Sequence, residues 1–372
     1  MLIKKIIILP IVSLVISFLS FYCFSADISA ESCVVINAET KEIIFEKNAY
    51  EKRSMASTTK IMTAIIAIES GKLNEKVTVT SEALTEGTSI GLKAGYVLTL
   101  ESLVYGMMLE SGNDAANVCA LHLGGTFSGF SDIMNSKAKE IGMNRTNFVT
   151  PSGLDDEMHY SSAYDMALLG AYSVKNPVFR EICSDKSEKI DFIKPDISVT
   201  FSNHNKLLES CEGVFGIKTG FTKKSGRCLV SACERDGATL VCVTLNAGDD
   251  WNDHRKLYDL SYAELNKTTV KFSYNDKIPV YGSDTMEAEI YCREYDFFYK
   301  DKGDITEQII LPPIIYAPLK ENEIIGKINY YLSGELIHTS YIYSKHNVAA
   351  SDESYKEKKS LIEWLKTLFR KE

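Results

Sequence analysis

Ser57 and Lys60 stand three residues apart at the head of the stretch Met55-Ala56-Ser57-Thr58-Thr59-Lys60-Ile61-Met62-Thr63-Ala64-Ile65-Ile66. On an α-helix this spacing puts both side chains on one face, one turn apart. Ile61, Met62, Ile65 and Ile66 supply an apolar side, so the pattern predicts a buried helix that runs to the C-cap glycine Gly71, with the Ser/Lys pair at its mouth. A serine hydroxyl becomes a nucleophile when a neighbouring base takes its proton. A lysine is such a base once burial or a second cation makes it neutral. The spacing alone proves little, because Ser-x-x-Lys arises about once or twice by chance in a chain of this length. Ser136-Lys137-Ala138-Lys139 is a second match, on what reads as a solvated helix face. Chemistry at Ser57 therefore needs partners elsewhere.

Two partners follow in order. Ser111-Gly112-Asn113 falls between two helical patterns. The first is opened by Thr99 and carries Leu100, Leu103, Val104, Met107 and Met108 on one side, where both methionines read as core. The second is capped by Asn113 or Asp114 and ends at Gly124-Gly125. Lys218-Thr219-Gly220 lies in Gly216-Ile217-Lys218-Thr219-Gly220, which reads as an edge strand, with Gly220 admitting a ligand backbone. With these three motifs in this order, the sequence resembles the penicillin-recognising serine enzymes. Ser111-Gly112-Asn113-Asp114-Ala115-Ala116, Gly153-Leu154-Asp155, Ser161-Ser162-Ala163-Tyr164-Asp165-Met166-Ala167 and Gly213-Val214-Phe215-Gly216-Ile217-Lys218-Thr219-Gly220 narrow it further. They are similar to the low-molecular-weight D-alanyl-D-alanine carboxypeptidases of peptidase family S11.

The resemblance implies an α/β (α+β) β-lactamase/transpeptidase-like domain with a small all-β domain after it. It also implies roles. Ser57 attacks the carbonyl between two D-alanines with Lys60 as base, and Ser111 relays a proton to the leaving amine. Asn113 bonds the substrate's peptide amide and Lys60. Lys218 holds Lys60 neutral and, with Thr219, binds the terminal carboxylate beside Gly220. The backbone N–H groups of Ser57 and Phe221 form the oxyanion hole. Phe221 stands where some relatives carry a histidine, so its side chain is given no role. Arg255 falls where relatives place an arginine that pairs with the substrate carboxylate, the alternative being a surface ion pair. The implied partners are peptidoglycan stem peptides ending in D-Ala-D-Ala, β-lactam antibiotics as covalent inhibitors, and a membrane surface.

No cofactor or metal is expected, since the six histidines show no His-Glu-x-x-His spacing. A net charge of -9 argues against a general nucleic-acid binder. A class A β-lactamase needs a Glu-x-x-Leu-Asn element between residues 113 and 218, and none is found there; Glu264-Leu265-Asn266 comes too late. A non-catalytic wall-binding scaffold would have no need of the intact Ser57, Lys60, Ser111, Asn113 and Lys218.

The remaining segments divide the chain. Lys4-Lys5, the apolar run Ile6 to Phe24 and the small residues after it read as a secretory signal peptide over 1–30, cut after Ser25 or after Ala30, or else as an uncleaved anchor. The catalytic domain is expected over 31–266, the all-β domain over 267–346 (with Lys271-Phe272-Ser273-Tyr274 as one strand) and a linker over 347–357. In the tail 358–372, Leu361, Ile362, Leu365, Leu368 and Phe369 share one helical face flanked by lysines, which suits a helix lying on a membrane surface. Of the cysteines, Cys228, Cys233 and Cys242 lie on two strands joined at Asp236-Gly237. With residue numbers summing to about 473 across that turn, Cys233 and Cys242 are offset, and they read as small buried hydrophobes. Asp155 and His159, in a loop, read as structural.

Overall fold

The computed structural model describes residues 27–270, 277–301 and 305–351. The hairpin read near the N-terminus forms β1 (Ser32–Asn37) and β2 (Ile43–Lys47). Much later in the chain come β3 (Val214–Thr222), β4 (Gly226–Arg235) and β5 (Ala238–Ala247). The five strands make one antiparallel sheet in the order β2-β1-β5-β4-β3, which leaves the Lys-Thr-Gly strand at an edge.

Every residue of β1 is buried, because the sheet is covered on both sides. Successive side chains point to opposite faces: Val34 and Ile36 enter one core, Cys33 and Val35 the other. A strand covered twice must be apolar throughout. The larger core is built with α1 (Lys60–Glu69), α2 (Leu100–Leu109), α3 (Asn113–Gly124), α4 (Phe127–Ile141), α5 (Ala163–Ser173) and α6 (Pro177–Ser184). The second core is closed by α7 (Asp250–Ala263), through Leu257 and Tyr258, and by Ile28 and Ala30.

Side-chain caps start four of these seven helices, α2, α4, α5 and α6. Thr99 Oγ1 accepts from Ser102 N at 3.1 Å to start α2, and Ser162 Oγ accepts from Asp165 N at 3.1 Å to start α5. Asp165 does not complete a capping box; its carboxylate accepts from Arg145 N and Thr146 Oγ1 instead. The cap of α3 also differs from expectation. Gly112 is the N-cap, while the Asp114 carboxylate accepts from Ser89 Oγ and the backbone N–H groups of Ile90, Leu92 and Ala115, tying down the 89–92 loop.

The β4–β5 register pairs Cys233 with Leu240 and Cys242 with Ser231, so the numbers sum to 473. All eight described cysteines are free thiols, six of them buried. Burial pushes the Cys33 thiol up to about 12, which makes it unreactive.

The all-β domain holds a five-stranded sheet ordered Lys277–Pro279, Glu287–Cys292, Glu335–Ser344, Ile324–Leu332, Ile305–Ile310. A ribbon of Asn266–Val270 with Tyr295–Tyr299 stands beside it, over a core that includes Phe297, Ile328 and Ile342.

Two expected boundaries move. Residues 347–351 are not linker: Val348 is buried and exchanges backbone hydrogen bonds with Leu319, and Ser351 N donates to Gly282 O. Residues 27–30 belong to the catalytic domain. The buried Asp253 carboxylate accepts from Ser29 N at 2.9 Å, Ser29 Oγ at 2.7 Å and Ala30 N at 2.9 Å. The leader up to residue 26, the strand at 271–274 and the tail helix at 358–372 lie outside the described residues. Among those described, no helix is long and apolar enough to cross a membrane.

Candidate active site

The chain reaches Ser57 through a short 3-10 turn, Ala56–Thr59, that runs into α1 at Lys60. Ala56 has a φ of +47°, a left-handed conformation that sets up the turn. It is seated against Gly153, whose φ is +84° and whose added Cβ would lie 1.9 Å from Ala56 O. Only glycine allows that approach.

Lys60 is fully buried. Its Nζ lies 2.8 Å from Ser57 Oγ, 2.8 Å from Asn113 Oδ1 and 2.6 Å from Ser152 O. Burial, with the Lys218 charge adding to it and Asp114 opposing, holds the Lys60 amine well below the ordinary lysine range. A neutral amine has two N–H groups and one lone pair. The two oxygens of Asn113 and Ser152 can accept only N–H, so the lone pair is left for the Ser57 hydroxyl. That is the geometry of a general base.

Asn113 is fixed in turn by Nδ2 donating to Glu86 O at 3.0 Å, and Ser111 sits at the start of this segment with a φ of +64°. On the edge strand, Lys218 Nζ donates to Thr219 O at 3.1 Å. Burial lowers its pKa to about 7, with Glu110 countering. A Cβ on Gly220 would come within 3.0 Å of Ser57 N and Thr58 N, so β3 lies directly against the Ser57 turn.

A cleft of about 520 Å³ opens here, lined by Ser57, Ser111, Thr219, Gly220 and Phe221, and also by Thr88, His204, Lys206, Arg227, Asp250 and Trp251. Phe221, which follows Gly220 on β3, is 66% exposed.

One site expectation is not met. Arg255 does not line the cleft; on α7 its Nη1 donates to Ser210 Oγ at 3.4 Å. The arginine in the cleft is Arg227, bonded to Asp250, and the motifs point to neither. Ser152 also escapes the motifs as a Lys60 partner, because it acts through its backbone oxygen and no side-chain pattern reveals that.

His159 and Asp155 are supports. His159 Nδ1 accepts from Val149 N at 2.9 Å and Thr150 N at 3.2 Å, which leaves the proton on Nε2, 2.9 Å from Thr59 Oγ1. Burial lowers its pKa to about 4, so it stays neutral and braces the turn that carries Ser57. Asp155 Oδ1 accepts from Thr222 Oγ1 at 3.0 Å, bridging to the end of β3.

A family model described as D-alanyl-D-alanine carboxypeptidase matches residues 21–249, more than half of the chain. The chain belongs to the D-alanyl-D-alanine carboxypeptidase family. It is accordingly a hydrolase of that class, and residues 266–350 match the C-terminal domain of penicillin-binding protein 5. It is 28% identical to the carboxypeptidase DacF of Bacillus subtilis over 91% of this chain and 90% of that one. To DacA of Escherichia coli K12 it is 29% identical, over 83% and 81%. Among solved structures, penicillin-binding protein 5 of Haemophilus influenzae superposes with a TM-score of 0.63 at 26% identity, covering 87% of this chain and 98% of that one. A point mutant of the Streptomyces K15 DD-transpeptidase gives 0.62 at 28% identity, covering 64% and 100%. The mixed α/β penicillin-recognising fold with an all-β domain after it is thus that of the family.

Proposed function

We propose that this enzyme removes the terminal D-alanine from peptidoglycan stem peptides ending in D-Ala-D-Ala, through an acyl-enzyme on Ser57. The observation that carries the reading is the buried Lys60 amine, kept neutral and aimed at Ser57 Oγ from 2.8 Å. Ser57 gives its proton to Lys60 Nζ as Oγ attacks the carbonyl between the two D-alanines. The oxyanion is received by the N–H groups of Ser57 and Phe221. Lys60 gives that proton on through the Ser111 hydroxyl, which relays it to the leaving nitrogen; the C–N bond breaks and D-alanine departs. Water then adds to the Ser57 ester and regenerates the hydroxyl. Lys218, poised near neutrality, is fully protonated when a substrate carboxylate arrives beside it.

A β-lactam presents an equivalent amide carbonyl and acylates the same serine. The only carboxylate among the described cleft-lining residues is Asp250, and Arg227 and Trp251 N already engage it. This favours a long-lived penicilloyl ester over β-lactamase turnover. The test is D-alanine release from a pentapeptide: wild type is expected to release it and Ser57→Ala none. A wild type that takes up penicillin but releases no D-alanine would refute the carboxypeptidase reading.

Action outside the cytoplasm, at the outer face of the membrane, is supported by the leader-like N-terminus and the lysine-flanked apolar face of the tail. The docking of Ile28 and Ala30 into the core, and of Ser29 on Asp253, supports cleavage after Ser25. Cutting after Ala30 would strip a buried carboxylate of its donors, at a cost of about 1–3 kcal/mol or more. N-terminal sequencing of the exported protein is expected to find Ile28–Ala30 retained; a start at Glu31 would contradict this.

A further inference from the structure

We infer that Arg227, fixed by Asp250 and Trp251, grips the terminal carboxylate of the substrate in this enzyme, in place of Arg255. The inference rests on the carboxypeptidase reading above.

Position comes first. Arg227 is the register partner of Phe221 on the neighbouring strand. Partners in an antiparallel pair lie on the same face, as do residues two apart on one strand. Arg227, Phe221 and Thr219 therefore share the face that lines the cleft with Ser57. A carboxylate held at Thr219, one residue from the point where β3 meets the Ser57 turn, would lie in the cleft that this guanidinium also lines.

Orientation comes second. Asp250 Oδ1 accepts from Arg227 Nε at 2.9 Å and Nη2 at 2.5 Å, and from Trp251 N at 3.0 Å. The Asp250 side chain is 4% exposed while that of Arg227 is 42% exposed, so the acid lies beneath and the guanidinium faces outward. The guanidinium carbon also stands 5.6 Å from the Trp251 ring centre. Arginine has five N–H groups in a rigid fork. Asp250 takes two of them, which leaves both on Nη1 and one on Nη2. A guanidinium fixed from behind, with donors left over at the front, suits a planar carboxylate. The other basic side chains lining the cleft suit it less: His204 Nε2 lies 3.3 Å from the Glu110 carboxylate, and Lys206 offers a point charge. Asp250 acts only through Arg227 and is a positioning residue.

The test compares kcat/KM for a pentapeptide with a free terminal carboxylate against the same peptide as its C-terminal amide. Arg227→Ala is expected to lower the acid-to-amide ratio about 100-fold, the loss of two charge-assisted hydrogen bonds. Arg227→Lys keeps the charge without the fork; it is expected to lower the ratio about 10-fold and serves if the alanine variant does not fold. Asp250→Asn is expected to lower the ratio chiefly through KM for the acid peptide, and Arg255→Ala to retain it. Equal losses on both peptides would mean that Arg227 only supports the fold, and a collapse of the ratio in Arg255→Ala would return the role to that residue; either overturns the inference. A folded wild type inactive on the acid peptide would instead remove the carboxypeptidase reading, and this inference with it.

Discussion

Lys60→Met is expected to slow acylation of Ser57 by benzylpenicillin about 100- to 10,000-fold, the usual contribution of a positioned general base. The Lys60 amine is the base within 2.8 Å of Ser57 Oγ, and its other two partners fix where its lone pair points. Methionine matches the length of the aliphatic stem and fills the buried space, so the core around Ile61 and Ile65 keeps its packing. It leaves Asn113 Oδ1 and Ser152 O without a donor, but it also removes a buried ionisable group, and the two effects on stability oppose each other. The second-order acylation constant, followed with a fluorescent penicillin, checks this. A value within tenfold of wild type would mean another group takes the proton. Wild type itself should acylate well below the pH at which an ordinary lysine loses its proton. Because the folded pKa of Lys60 is lowered, the rate should hold above that lowered value and fall only as pH drops through it.

Gly153→Ala is expected to cost about 3 kcal/mol of stability and to slow acylation about 100-fold in the protein that remains folded. The methyl group would meet Ala56 O at 1.9 Å, and the backbone there is left-handed at +84°. The displaced atom belongs to the residue before Ser57, so relief of the clash moves the nucleophile. Gly71→Ala is the matched comparison. It also has a left-handed φ, of +71°, but nothing lies within 4 Å of its added Cβ, so only the backbone cost of about 1–2 kcal/mol applies. Thermal unfolding and acylation rates of the two variants should separate: Gly71→Ala loses some stability but keeps its rate. Equal behaviour would show that the 153–56 contact does not position Ser57.

What the sequence disclosed follows from which interactions are written in side chains. Ser57 and Lys60 meet as read because three-residue spacing across a 3-10 turn into α1 still puts them on one face. Asn113 and Lys218 arrive from α3 and β3, and only the resemblance brings them to the same place. The β4–β5 register is legible because a two-residue turn at Asp236-Gly237 leaves no freedom in pairing. The ribbon of Ser187–Phe192 with Ile197–Ser202 carries only a short strand signal, Ile190 and Phe192 and then Ile197, Val199 and Phe201 alternating with polar residues, and most of it is exposed. Ser152 works through its carbonyl, which every residue possesses. Arg227 is hidden for another reason: it is defined by its cross-strand neighbour Phe221 and by Asp250, which is 23 residues away. Arg255, four residues closer to the C-terminus than Trp251, lies beyond the end of α7 that reaches the cleft.

The central claim, that Ser57 is acylated, is tested most directly by the intact mass of wild type and Ser57→Ala after incubation with benzylpenicillin. One lasting adduct of a single penicilloyl group, present in wild type and absent from Ser57→Ala, is the predicted result. An adduct that persists in Ser57→Ala, or penicillin destroyed by wild type with no adduct left behind, would contradict the account.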